Sequence, residues 1–336
     1  MPVRKSKFKV AIVIPVKNDE KHISRLLDQV YLQDFPMDKI EIVVTLGHSR
    51  DNSRTVVEKF KKRFGSLKIL DNATGLQASG YNLGIKNTTA PYLMTLDVRS
   101  YFPTKDIIRS VVETFESTES DCLCRPQPLA PPDSNEFQTS TAYCRSSILG
   151  HRPGQEIVEG FEGPIDPISS GAMYLRSVFD KVGYFDESFD GCEEVEFNYR
   201  LKLAGLKSYL TQKIRQAYYP PETFRKLWSQ MYRYGKGRFR FARKHDEYSV
   251  MQWLAGFGVG AFFVLLVFSF FSTTMFDYFR QMVFVYLLVV IFFSGYLAVQ
   301  RHYLGCLLYG LVIFPAIHFG LGLGFLRELL SHASKN

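Results

Sequence analysis

The chain has 336 residues, 46% hydrophobic and 22% charged, with 41 Lys and Arg against 33 Asp and Glu for a net charge of +8. So much apolar material excludes a disordered or collagen-like chain. The charge does not suggest nucleic acid as a partner either, because it is concentrated in one stretch, Glu222 to Asp246, with eight basic and two acidic residues, and does not cover a folded domain.

Met1 to Val10 has no apolar run, so no secretory leader is expected. Lys9 to Pro15, KVAIVIP, predicts a buried strand, and Ile23, Leu26, Leu27 and Val30 then fall at helical spacing. Ile40 to Leu46 predicts a second strand, Ser53 to Phe64 a helix, and Leu67 to Leu70 a third strand. Gly80 to Lys86 fits a helix, and Tyr92 to Leu96 a fourth strand ending at Asp97. Strands alternating with helices predict an α/β fold with a mostly parallel sheet. Ligands of such sheets bind beyond the carboxyl ends of the strands, which is where Val16 to Asp19, Gly47 to Asp51 and Asp97 fall.

Cys122 to Gly163 has no clear pattern. Leu175 to Val182 and Glu193 to Ala204 predict helices, the second with acidic residues first, basic residues last and Gly205 as its stop. Short strands are expected at Lys207 to Leu210 and around Ile214. Five cysteines, at 122, 124, 144, 192 and 306, form neither a disulfide framework nor a zinc knuckle.

The last part is different. Tyr248 to Phe276, Gln281 to Gln300 and Tyr303 to Leu326 hold no charged residue, and each is long enough to cross a hydrocarbon core as helix. The expected organisation is an α/β domain at 1–221, a basic amphipathic segment at 222–249 and three transmembrane helices at 250–336. The basic belt before the first span places the preceding domain in the cytoplasm of a multi-pass protein of the cell membrane. Basic residues mixed with Trp228, Tyr232, Phe239 and Phe241 also suit an anionic membrane surface.

Four acidic residues, at three places, stand where chemistry is done. Asp97 ends a strand, Glu193 and Glu194 open a helix, and Asp51 follows the second strand. A strand-end carboxylate can bind a metal or a sugar hydroxyl, or only shape a turn. Acidic residues at a helix start can act as a base, or only complement the helix dipole.

Five segments in order, VAIVIPVKNDEKHI, EIVVTLGHSRDNS, LDNATGLQASGYNLGI, LMTLDVRSYFP and GYFDESFDGCEEVEFNYRLKLAG, resemble the inverting family-2 glycosyltransferases. Within them the chain is most similar to the succinoglycan-type, membrane-attached enzymes. The resemblance runs from about Val10 to about His245 and implies the GT-A fold followed by a transmembrane helical segment. It implies a nucleotide-sugar donor held by Pro15, Val16, Lys17, Asn18 and Asp19, with Asn82 nearby. Leu46 stands where the family often has an Asp that bonds the base. LDVRS resembles the D-x-D or D-x-H signature, with Asp97 as donor-binding and metal-binding residue. Arg99 replaces the usual second ligand. A guanidinium has no free lone pair for a metal but binds phosphate bidentately. Three readings stay open: a divalent cation, Mg or Mn, held by Asp97 and diphosphate oxygens; Arg99 supplying the charge itself; or lost catalysis. CEEVEFNYRL resembles the family's acidic helix start, which implies Glu194 as catalytic base beside Glu193. Ser169, Ser170 and Gly171 resemble the acceptor-side loop. Gln230, Arg233 and Tyr234 resemble a Q-x-x-R-Y segment closing on the donor diphosphate. The implied reaction transfers a sugar to a lipid-linked acceptor, a polyprenyl diphosphate-linked glycan, in polysaccharide or glycan synthesis. Transfer directly to polyprenyl phosphate, and a silent partner subunit, are the alternatives.

Overall fold

A computed structural model describes residues 6–126, 131–150, 160–168, 171–248 and 250–333. The chain divides into two compact units. One comprises Met1–Pro131 with Ile157–Tyr218, the other Pro132–Glu156 with Tyr219–Asn336.

In the first unit, β1 (Val10–Val16), β2 (Ile40–Leu46), β3 (Leu67–Asp71) and β4 (Tyr92–Thr95) lie in the order β3-β2-β1-β4. All are parallel, with Val13 opposite both Val43 and Thr95. β1 and β2, VAIVIPV and IEIVVTL, are rich in β-branched residues and almost wholly buried because both faces of the sheet are covered there. On one face Val10, Ile12 and Ile14 pack with Ile23, Leu26 and Leu27 of α1 (Glu20–Tyr31). On the other, Ala11 and Val13 meet Tyr81 and Ile85 of α3 (Gln77–Lys86). Between them in the chain, α2 (Ser53–Phe60) is shorter than expected.

After β4 come β5 (Ser100–Tyr101), α4 (Ile107–Thr118) and β6 (Cys122–Cys124). Further on are β7 (Gly163–Pro164), β8 (Gly171–Leu175), α6 (Arg176–Val182), α7 (Glu193–Leu203), β9 (Ser208–Leu210) and β10 (Ala217–Tyr218). The main sheet continues β4-β8-β6-β9-β7. Because β8 is antiparallel to both β4 and β6, β6 runs in the direction of β4. The ends of β1, β2, β4 and β6 and the start of β8 therefore share one edge. The expected strand around Ile214 is a 3-10 turn, Gln212–Ile214; β10 follows it and pairs with β5 in a separate ribbon.

The second unit is helical, and its first helix comes from the stretch the sequence left unread. α5 (Glu136–Arg145) opens with a capping box between Asn135 and Gln138. It packs with α8 (Phe224–His245), α10 (Thr273–Gln300) and α11 (Gly305–Ala333), and α9 (Val250–Ser269) lies against α10 and α11. The observed division thus interrupts the domain expected at 1–221. α8 and α11 touch backbone to backbone. A Cβ on Gly235 or Gly324 would collide with the carbonyl oxygen of Leu321 or Tyr232. Among the described residues two helices, Thr273–Gln300 and Gly305–His332, are long and apolar enough to cross a membrane, where three spans were expected. The apolar stretch Trp253–Ser269 is shorter. Asp277 and Arg280 lie in the first turns of α10 and pair at 3.0 Å.

Candidate active site

The shared edge of the sheet collects the polar residues. β4 delivers Asp97, whose Oδ1 accepts the Arg99 amide at 2.8 Å. The chain turns there into β5, and Ser100 pairs with Tyr218 of β10. That ribbon fixes Arg99. Its Cζ lies 5.1 Å from the centroid of the Tyr218 ring, and its Nε is 3.7 Å from Asp97 Oδ1. The guanidinium is held by an aromatic face and a carboxylate, both favourable contacts.

α7 begins just after Cys192, whose φ of 66° makes the sharp entry. Glu194 sits half-buried in its first turn. The Tyr81 hydroxyl reaches Glu194 Oε1 at 3.5 Å and accepts from Gln77 Nε2 at 2.9 Å. Burial pushes the Glu194 carboxyl above its ordinary value; Arg125 pulls it down, Asp97 pushes it up and the Tyr81 hydroxyl pulls it down. Tyr81 itself is driven well up, by burial first and then by the charges of Glu194 and Asp97. Asp97, Glu194, Tyr81 and Arg125 thus form one electrostatic cluster. The sequence reading missed Tyr81 and Arg125. Arg125 follows β6 at the same edge as Asp97, and a charge one residue past a buried strand was its available signal. Glu193 is 7% exposed in the same helical turn. Glu196 is fully buried and tied to Arg200, Nε to Oε1 at 2.9 Å, so it serves the fold.

The expected donor residues divide by what they bond. Pro15 and Val16 end β1, and the Val16 carbonyl accepts from Gly47 at 2.8 Å. Asn18, at φ 52°, links its loop to the next one, its amide donating to Ser49 Oγ at 3.0 Å and its Oδ1 accepting from Arg50 at 2.7 Å. Asp19 accepts from His22 Nδ1. Lys17 is exposed and lies over Gly47 and Gly75, close enough that a Cβ on Gly75 would stand 2.8 Å from its Nζ. Asn82 gives both amide protons to the fold, to the Phe185 carbonyl and Glu187 Oε1, each at 2.8 Å, so it shapes the turn before α7. Asp51 accepts the Glu20 amide at 3.0 Å and Ser53 Oγ at 2.7 Å. Burial would raise its pKa, but the bonds from Ser53 and Glu20 bring it below the ordinary 3.8.

Gly171 opens β8, where a Cβ would meet Cys122 Sγ and Asn198 Nδ2. Ser169 and Ser170 lie outside the described residues. Gln230, Arg233 and Tyr234 are on α8, in the second unit. No group of three or more His, Cys, Asp or Glu among the described residues could hold a metal ion. Asp97 offers one carboxylate, and Arg99 already stands against it. These residues do not make a divalent-cation site of their own; the positive charge at this strand end is a guanidinium.

Comparison with known proteins agrees with the fold. The family model described as Glycosyl transferase family 2 matches residues 11–183. The chain is 28% identical over 236 residues to the succinoglycan biosynthesis protein ExoA of Rhizobium meliloti (strain 1021), covering 70% of each chain. It is 26% identical over 255 residues to the dolichyl N-acetyl-alpha-D-glucosaminyl phosphate 3-beta-D-2,3-diacetamido-2,3-dideoxy-beta-D-glucuronosyltransferase of Methanococcus voltae, covering 74% of this chain and 78% of that one. In fold it is similar to the mannosyltransferase PcManGT of Pyrobaculum calidifontis, solved with GDP-Man and Mn2+. The TM-score is 0.60 at 14% identity, over 97% of this chain and 88% of that one. Staphylococcus aureus TarS 1-349 with UDP-GlcNAc gives a TM-score of 0.53 at 15% identity, over 74% of this chain and 75% of that one.

Proposed function

The chain belongs to glycosyl transferase family 2, and from that premise we propose that it is an inverting enzyme moving a sugar from a nucleotide diphosphate to a lipid-linked glycan at a membrane. The observation that carries this reading is Glu194, a half-buried carboxylate in one electrostatic cluster with the strand-end Asp97. A base must be ionised yet basic enough to accept a proton, and a raised carboxyl pKa meets both needs near neutrality. Glu194 takes the proton of the acceptor hydroxyl as its oxygen attacks the anomeric carbon. The bond from that carbon to the diphosphate oxygen breaks, and the nucleoside diphosphate leaves with the electron pair. One displacement inverts the centre. Charge grows on the leaving diphosphate, where Arg99 stabilises it by bidentate bonds. Asp97 orients Arg99 and the donor.

The acceptor class is supported by the Methanococcus voltae relative, whose name describes a dolichyl-phosphate-linked substrate. The apolar helices α10 and α11 support a membrane position. The basic residues of α8, such as Arg233 and Arg238, favour the cytoplasmic side for the catalytic unit.

The test uses the purified full-length chain, UDP- and GDP-sugars and lipid extract. Transfer with inverted anomeric configuration is expected, and it should persist in EDTA. Glu194→Gln turning over at the wild-type rate would remove Glu194 from the mechanism. Mass spectrometry that finds only a monosaccharyl lipid phosphate would replace the glycan acceptor by the lipid phosphate itself.

A further inference from the structure

α5 is held firmly in the second unit. Phe137 meets Tyr309 edge-on with ring centroids 5.8 Å apart, and Tyr143 lies 5.7 Å from Tyr303. Just beyond the helix the Leu149 carbonyl is bonded to His318 Nε2 at 2.8 Å. The last residue of this fixed helix is Arg145, which is half-buried. Its Nη1 donates to Gln230 Oε1 at 3.5 Å, and its Cζ lies 6.0 Å from the centroid of Tyr234. Gln230 is 3% exposed and donates from Nε2 to the Tyr234 hydroxyl at 3.3 Å. Gln230 and Tyr234 are one helical turn apart on α8, so they form a single backing for the arginine.

These neighbours are neutral. Among the described residues Arg145 has no ion pair; Asp133 and Glu136 accept from the hydroxyls of Tyr219 and Tyr309, and three other carboxylates of this unit hold other cations. Glu222 holds Lys226, Glu328 holds Arg240 and Asp277 holds Arg280. A guanidinium at a helix C-terminus suits the dipole. That accounts for its sign but not for the buried amide placed against it. Removing an ion from water without a counter-ion is costly. A neutral clamp positions the guanidinium and leaves its charge for something else. Its planar fork of donors matches phosphate oxygens.

We propose that Arg145, backed by Gln230 and Tyr234, binds the phosphate of the lipid-linked acceptor. This rests on the lipid-linked reading above, and it moves Gln230 and Tyr234 from the expected donor side to the acceptor side. The unit that carries them is also the one with the membrane-length helices, where an isoprenoid phosphate resides.

The experiment measures equilibrium binding of tritiated farnesyl phosphate to the purified full-length chain in detergent, without donor. Saturable binding to wild type is expected, displaced by inorganic phosphate and not by farnesol. Arg145→Met should weaken it about tenfold or more, and Arg145→Lys less, since a point charge remains. Gln230→Leu should weaken it about threefold and serves as the second variant; unchanged elution on size exclusion checks the fold of each. Wild-type binding that Arg145→Met and Gln230→Leu both leave intact overturns this site and spares the acceptor reading. No binding to wild type overturns both. Displacement by farnesol as effective as by phosphate overturns phosphate recognition.

Discussion

In the sheet unit, buried charge is answered by charge. Glu196 is fully buried against Arg200, and Glu41, 1% exposed, accepts from Lys68 at 3.0 Å and the Thr89 amide at 2.7 Å. The helical unit gains its packing differently, from glycines that let α8 and α11 touch and from rings such as Phe239 and Phe325, 5.1 Å apart. The contrast says where to look for function in each. Where carboxylates are paired as a rule, Glu194 beside Asp97 is the exception. Where apolar contact is the rule, the exception is Arg145.

The two units can be perturbed and followed separately, because both tryptophans, Trp228 and Trp253, lie in the helical unit. Their fluorescence reports that unit, while the Glu194 chemistry belongs to the other. The largest effect belongs to the exception itself. Glu194→Gln should lower kcat about 10²- to 10⁴-fold without moving the tryptophan melting transition. Glu196→Ala strands the Arg200 guanidinium and should cost about 3–5 kcal/mol; activity is then lost on heating well before the fluorescence changes. Coincident loss would mean the units do not melt separately. Gly324→Leu forces α8 from α11 and should cost about 1–3 kcal/mol, this time moving the fluorescence transition.

Two smaller effects depend on pH. Arg125→Gln removes a charge that holds the Glu194 carboxyl down. The acid limb of kcat/KM should then move to higher pH, because turnover needs the ionised base. Asp51 has a folded pKa below 3.8. Its contribution is therefore full above the unfolded value and lost as pH falls through the folded one. Asp51→Asn should cost about 1 kcal/mol at neutral pH and flatten the acid arm of the stability curve measured by urea unfolding.

Much of the sheet unit was legible because its signals are local. The runs VAIVIP and IEIVVTL are mostly apolar, with Glu41 and Thr45 as the polar members, because both faces of the sheet are buried, and Asp97 stood out as the polar residue after such a run. Asn82 shows the limit. Its residue type suits a ligand contact, but its partners, Phe185 and Glu187, are a hundred residues away and no local pattern names them. α5 was illegible for the same reason. EFQTSTAYCR presents buried Ser140 and Thr141 beside Phe137 and Tyr143, so no apolar stripe marks a helix. Its burial is set by α11, far along the chain.

That distance has a consequence during synthesis. Arg145 ends α5 160 residues before Gly305 begins α11. At the usual pace of translation the helix waits roughly 8 to 32 s for its partner to be made. Throughout that interval Phe137 and Tyr143 have no α11 to cover them, while β8 and β9 of the sheet are still being added on the far side of the insertion. A nascent chain of this kind depends on something else to shield α5, whether a chaperone or the bilayer surface itself. Stalling the ribosome between α8 and α11 is therefore the point at which the protein should be most prone to aggregate.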